Sequence, residues 1–246
     1  MSLTREQAKE KVIVALDVPT RAEALDLVER LYGEVGAFKI GMQLYNAEGP
    51  DIVRDIQARG GKVFVDLKFH DIPNTVAEAT RVITRRRAAI MTLHAAGGRK
   101  MLAAAAAAAK ETAEAMGVKK PLVVAVTVLT SISQQEFTEE IGINRPIAEQ
   151  VIAWAKMAEE VGLDGVVASP KEIADIRANC GPDFAIITPG IRPLWAAAND
   201  QSRIMTPRQA VEAGATYLVI GRPITAQENQ VEAARKIVEE IMEAEI

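Results

Sequence analysis

The chain reads as a single (β/α)8 barrel, and three observations predict it. Its 246 residues match the length of one such barrel, about 250 residues. Short apolar, β-branched runs recur with helix-patterned segments between them, the signature of βαβ units and a parallel sheet. Runs such as Val12-Ile-Val-Ala-Leu16 and Leu122-Val-Val-Ala-Val-Thr-Val128 are apolar almost throughout, which suits strands covered on both faces.

Taken in order, the pattern predicts strands at residues 12–17, 37–42, 62–68, 90–95, 122–130, 165–169, 185–191 and 216–222. Helix starts fall between them. Thr20-Arg-Ala-Glu23, Ser169-Pro-Lys-Glu172 and Thr206-Pro-Arg-Gln209 each place an oxygen at the N-cap and Glu or Gln three residues on, the capping-box pattern. In the last two, proline takes the first helical position, where its missing N–H is not needed. Seven consecutive alanines at residues 103–109 read as a helix packed closely on the barrel, alanine being the best helix former. Arg85-Arg86-Arg87 reads as a solvated cationic end of the third helix, complementing its dipole. No Pro/Gly/Ser-rich linker divides the chain, so residues 1–246 are expected to form one domain.

Composition narrows the function classes. Hydrophobic content of 49% allows a large core, and a net charge of −4 lacks the basic footprint of a nucleic-acid binder. A single cysteine, Cys180, excludes an intramolecular disulfide and fits a reducing cytosol. The polar start MSLTREQAKEK is unlike a signal peptide. No apolar run reaches the roughly 18–20 residues that span a membrane, so a cytoplasmic protein is expected. Two histidines, His70 and His94, are too few for a His-rich metal site. His94 reads as a hydrogen-bonded structural residue and Trp154 as core; Trp195 either covers the site or packs its own loop.

The chemistry-bearing residues gather where such barrels keep their active sites, at the C-terminal ends of the strands. Asp17 closes strand 1, Lys39 lies in strand 2, Asp66 and Lys68 close strand 3, and His94 lies near the end of strand 4. Thr130 closes strand 5, Arg192 follows strand 7, and Gly221-Arg222 closes strand 8. Alternation along Val63-Phe-Val-Asp-Leu-Lys68 puts Phe64, Asp66 and Lys68 on one face and Val63, Val65 and Leu67 on the other. The apolar set packs on helices, so Asp66 and Lys68 point into the barrel mouth. With Lys39 and Asp71 they make an alternating Lys–Asp–Lys–Asp array. Its bland counterpart is a buried structural ion pair.

The run Asp66-Leu-Lys-Phe-His-Asp-Ile-Pro-Asn-Thr75 is similar to the signature of the orotidine monophosphate decarboxylases. Agreement extends through Ala15-Leu-Asp17, Phe38-Lys-Ile-Gly41, Leu93-His-Ala-Ala-Gly-Gly98, Val128-Leu-Thr-Ser131, Thr188-Pro-Gly-Ile-Arg-Pro193, Asp200-Gln201 and Gly221-Arg-Pro223. One departure is residues 85–89, where a more apolar helix end with a small turn is expected. The resemblance implies a barrel enzyme that removes CO2 from a pyrimidine nucleotide without cofactor or metal. It implies a charged network of Lys39, Asp66, Lys68 and Asp71, with Lys68 protonating C6. Asp17 and Lys39 would contact the ribose, and Thr130 or Ser131 the pyrimidine edge. Arg192, Gln201, Gly221 and Arg222 would hold the phosphate. It also implies a homodimer in which Asp71, Ile72 and Thr75 complete the partner's site. Residues 192–205 read as a lid over substrate or as an irregular insertion. Two alternatives stay open: a Mg2+-dependent sugar-phosphate decarboxylase or hexulose-phosphate synthase of the same superfamily, and a non-catalytic nucleotide-binding barrel.

Overall fold

Eight parallel strands, each hydrogen-bonded to the next and the last to the first, close a barrel in sequence order. The structure is a computed structural model that describes residues 3–196 and 205–245. The strands are β1 (Val12–Ala15), β2 (Ala37–Gly41), β3 (Val63–Phe69), β4 (Ile90–His94), β5 (Leu122–Val126), β6 (Gly165–Val167), β7 (Ala185–Pro189) and β8 (Tyr217–Ile220). All eight lie where the sequence places them, but most end earlier. β5 stops at Val126, not Thr130. The apolar run continues because Val128 is still buried, 6% exposed, after the ladder has ended. β8 stops at Ile220, because Gly221 turns the chain into a one-turn helix that begins at Arg222.

Alternation along the strands makes two apolar layers. Ile13, Ala37, Phe64, Ile90, Val124, Ile187 and Val219 pack together inside the barrel. Their neighbours Val12, Phe38, Val63, Met91, Val123, Ile186 and Leu218 belong to a second, larger core under the helices. That is why these strands read as continuous apolar runs.

The outer layer is α1 (Arg5–Glu10), α2 (Arg21–Leu31), α3 (Met42–Glu48), α4 (Asp51–Gln57), α5 (Pro73–Arg85), α6 (Gly98–Met116), α7 (Gln134–Glu139), α8 (Ile147–Glu160), α9 (Ile173–Asn179), α10 (Pro207–Glu212), α11 (Arg222–Thr225) and α12 (Gln230–Met242). The Thr206–Gln209 box is complete and starts α10. The Ser169–Glu172 box is also complete, but it heads a 3-10 turn that leads into α9. At Thr20 only half the box forms: the hydroxyl accepts from the Glu23 N–H, without the return bond to the Thr20 N–H. The alanine run lies in α6, with Ala105, Ala108 and Ala109 fully buried.

The arginine triplet divides its duties. Arg85 and Arg87 are exposed. Arg86 turns inward, where its Nη1 donates to the Pro50 carbonyl at 3.1 Å and lies 3.5 Å from Asp51. Gln57 Nε2 donates to the carbonyls of Arg86 and Arg87 at 3.0 and 2.9 Å. The triplet therefore ties the end of α5 to α4 as well as facing solvent.

Candidate active site

At the C-terminal mouth of the barrel lies a cavity of about 390 Å3. Its chemistry starts from β2 and β3, which pair Lys39 with Phe64 and Gly41 with Asp66. Inward-pointing Lys39 and Asp66 thus sit one layer above the apolar interior. Lys39 Nζ lies 3.5 Å from Asp17 Oδ1 and 3.5 Å from Asp66 Oδ2. Lys68 Nζ lies 2.9 Å from Asp66 Oδ1. The side chains of Lys39 and Asp66 are only 12% and 13% exposed, and that of Lys68 is 27% exposed. Within one chain the alternating array therefore runs Asp17–Lys39–Asp66–Lys68. Breaking such a buried pair by removing one partner costs about 3–5 kcal/mol.

Asp71 stands apart from this array in its own chain. β3 ends at Phe69, and the Asp71 carboxylate accepts from the Ile72 N–H at 2.6 Å. Asp71, Ile72 and Thr75 are all exposed and lie outside the cavity lining. Ile72 has φ −58 and ψ 152, the extended geometry that a following proline favours, and its side chain is 65% exposed.

Lys68 reaches Asp66 by a route that simple alternation does not describe. β3 and β4 pair Val65 with Met91 and then Phe69 with Leu93. Asp66, Leu67 and Lys68 thus oppose the single residue Thr92. Lys68 absorbs the excess with φ 52, a left-handed conformation that costs a non-glycine residue roughly 1–2 kcal/mol. Sequence reading passed over Thr92 and Gly41. The signal was available in both: Thr92 is polar at an inward position between Ile90 and His94, and Gly41 follows Lys39 on the inward face of β2. A methyl group on Gly41 would lie 3.3 Å from Lys39 Nζ, so its absence leaves that ammonium its room.

The opposite wall comes from β7 and β8 and their loops. Arg192 and Arg222 both line the cavity. Among the described residues no carboxylate pairs with either. Gly221 lines it too, as the cap of α11. Thr130 also lines it; Ser131 does not and is exposed. Gln201 and Asp200 lie outside the described residues, as does most of the expected lid (residues 197–204). The two ends of that segment are joined where the Arg192 N–H donates to the Met205 carbonyl at 3.2 Å. Trp195, on the described part of it, is 45% exposed, with Lys236 Nζ 6.0 Å from its ring centre.

This geometry agrees with what the chain resembles. The model of the Orotidine 5'-phosphate decarboxylase / HUMPS family matches residues 10–237. The chain belongs to that family. It is 56% identical to the orotidine 5'-phosphate decarboxylase of Syntrophomonas wolfei, over 96% of this chain and 100% of that one. It is 54% identical to that of Moorella thermoacetica, over 97% and 95%. The crystal structure of orotidine 5'-phosphate decarboxylase from Lactobacillus acidophilus superposes with a TM-score of 0.84 at 37% identity, covering 94% of this chain and 98% of that one. No helix among the described residues is long and apolar enough to cross a membrane.

Beside this family site, the two histidines stack on each other with ring centres 5.4 Å apart. His94 also meets the edge of Trp154 at 6.3 Å, and its Nδ1 accepts from the Ala96 N–H at 3.2 Å. Among the described residues no three His, Cys, Asp or Glu side chains group so as to hold a metal ion. Burial first, then the neighbouring His70 and Lys68, hold His94 below its ordinary pKa of 6.5. A histidine depressed in this way binds its proton more readily in the unfolded chain. Its contribution to stability is therefore complete above about pH 6.5 and is lost as pH falls through the window below it. Thermal melts at pH 7.5 and 5.5 are expected to show a fall in Tm that His94→Gln reduces. An equal fall in both proteins would contradict this environment for His94.

Proposed function

We propose that the chain decarboxylates orotidine 5′-monophosphate to uridine 5′-monophosphate, with Lys68 as the cation at the reacting carbon. The observation that carries this reading is the Lys68 ammonium, held by Asp66 at the mouth of the cavity that Arg192 and Arg222 also line. The relatives' names point the same way. A pyrimidine ring set on the Lys68 wall would direct its phosphate to the two arginines, whose forked donors suit phosphate oxygens.

Loss of CO2 leaves an electron pair at C6 in an orbital in the ring plane, with no carbonyl to receive it. An ammonium at that carbon stabilises the growing negative charge and then donates a proton to it. Two unit charges 4 Å apart interact by on the order of 4 kcal/mol at an effective dielectric of 20. Only the part that grows in the transition state speeds the reaction. Asp66 aims the Lys68 ammonium and Lys39 braces Asp66 from its other oxygen, while Asp17 and Lys39 take the ribose hydroxyls. Of Thr130 and Ser131, Thr130, which lines the cavity, takes the pyrimidine edge, and Gln201 and Gly221 join the arginines at the phosphate. The reaction uses no cofactor, because Lys68 supplies the cation. The protein works in the cytoplasm.

Activity on orotidine monophosphate should survive exhaustive dialysis against a chelator; a requirement for Mg2+ would favour the sugar-phosphate alternative. In the same assay Lys68→Ala should lower kcat by many orders of magnitude. Arg222→Ala should act chiefly through KM, because it removes remote binding energy. Retention of more than about a tenth of kcat by Lys68→Ala, a loss under roughly 1.4 kcal/mol, would contradict the role given to Lys68.

The same reading makes the active unit a homodimer. What supports it is the placement of Asp71, Ile72 and Thr75, exposed and outside their own chain's cavity. A two-fold axis would deliver each loop to the other subunit's site. Inactive Lys68→Ala and Asp71→Asn subunits, mixed through denaturation and refolding, should then regain roughly a quarter of wild-type activity, since half the dimers are mixed and each holds one intact site. Verified subunit exchange with no recovery would place Lys68 and Asp71 in one subunit's site.

A further inference from the structure

We propose that Thr92 is the positioning residue for Lys68, and that its single hydroxyl holds the lysine at both ends. The proposal rests on the reading of Lys68 as the reacting cation. The Lys68 backbone N–H donates to Thr92 Oγ1 at 2.8 Å. Thr92 Oγ1 in turn donates to Asp66 Oδ1 at 3.0 Å. That same Asp66 oxygen accepts from Lys68 Nζ at 2.9 Å. The three bonds close a ring that runs from the lysine's backbone through Thr92 and Asp66 to its ammonium.

The direction of each bond is forced. A backbone N–H only donates and a carboxylate only accepts, so only a group that does both can stand between them, and a hydroxyl does. The β-branch of threonine restricts its χ1 and so aims the oxygen. Thr92 is 1% exposed, which leaves little access for water to replace the hydroxyl. It is also the one residue of β4 set against three residues of β3. The strained φ of Lys68 therefore occurs where Thr92 accepts its N–H. Without the hydroxyl, the N–H loses its partner, Asp66 loses one of its donors, and the bulge is free to relax. Even a small displacement of a reacting group lowers the rate steeply.

The test measures kcat, KM and Tm for Thr92→Val, which keeps the shape and removes the oxygen, with Thr92→Ser and Lys68→Ala alongside. Folded Thr92→Val should lose about ten- to a hundredfold in kcat with KM changed by less than about threefold, the size expected when a buried hydrogen bond to a reacting group is lost. Thr92→Ser should recover most of that loss. Thr92→Ala serves in place of valine if the latter does not fold. A merely structural role would lower Tm and leave the kcat of the folded enzyme unchanged. Near wild-type kcat in folded Thr92→Val or Thr92→Ala, with Lys68→Ala inactive, would overturn the role of Thr92 alone. Failure of serine to improve on valine would do the same. An active Lys68→Ala would overturn the reading of Lys68 and this proposal with it.

Discussion

The Asp66 carboxylate is the constraint around which the mouth of the barrel is arranged. Three donors converge on it: Lys68 Nζ and Thr92 Oγ1 on one oxygen, Lys39 Nζ near the other. Its side chain is 13% exposed, and a carboxylate so placed is tolerable only when paired and hydrogen-bonded. The apolar packing of Ile13, Phe64, Val124, Ile187 and Val219 below it supports the strands that bring these groups together. The register of β2 against β3 sets Gly41 opposite Asp66, and the missing side chain at Gly41 leaves space for the Lys39 ammonium.

The strain in this region is local. Among the described residues only two non-glycine residues have positive φ, Lys68 and Arg87. Arg87 follows the C-cap of α5, where a left-handed residue is a common way to end a helix. Lys68 lies inside a strand, where no such turn is needed. Strain of this kind persists only where the surroundings over-determine it, and here the surroundings are Thr92 and Asp66. The interior layers supply rigidity, and a bulge on that rigid frame aims one ammonium.

Much of this was legible in the sequence, for physical reasons that differ by element. The eight strands were readable because both faces of a barrel strand are apolar, so each one stands out as a run. Their ends were not, because burial outlasts pairing: Val128 is buried past the end of β5. The doubled helices α3 and α4, and α7 and α8, passed unseen within broad helical stretches. Lys39, Asp66 and Lys68 were found from alternation and motif together. Their arrangement within one chain was not, because it also draws in Asp17 from the loop after β1, while Asp71 stands apart from it in its own chain. The bulge at Lys68 was invisible, since register between strands is a property of two segments and no single segment displays it. Gln201 and the segment around it lie outside the described residues, so the sequence remains the source for them.

The central claim, that Lys68 stabilises a C6 carbanion and protonates it, has a direct consequence in the reverse direction. A group that delivers a proton to C6 must also remove it from the product, by microscopic reversibility. The enzyme incubated with uridine monophosphate in D2O should therefore exchange the C6 proton for deuterium, seen as loss of its proton NMR signal. Lys68→Ala should show no exchange above the enzyme-free rate. Exchange that persists unchanged in Lys68→Ala would contradict the account.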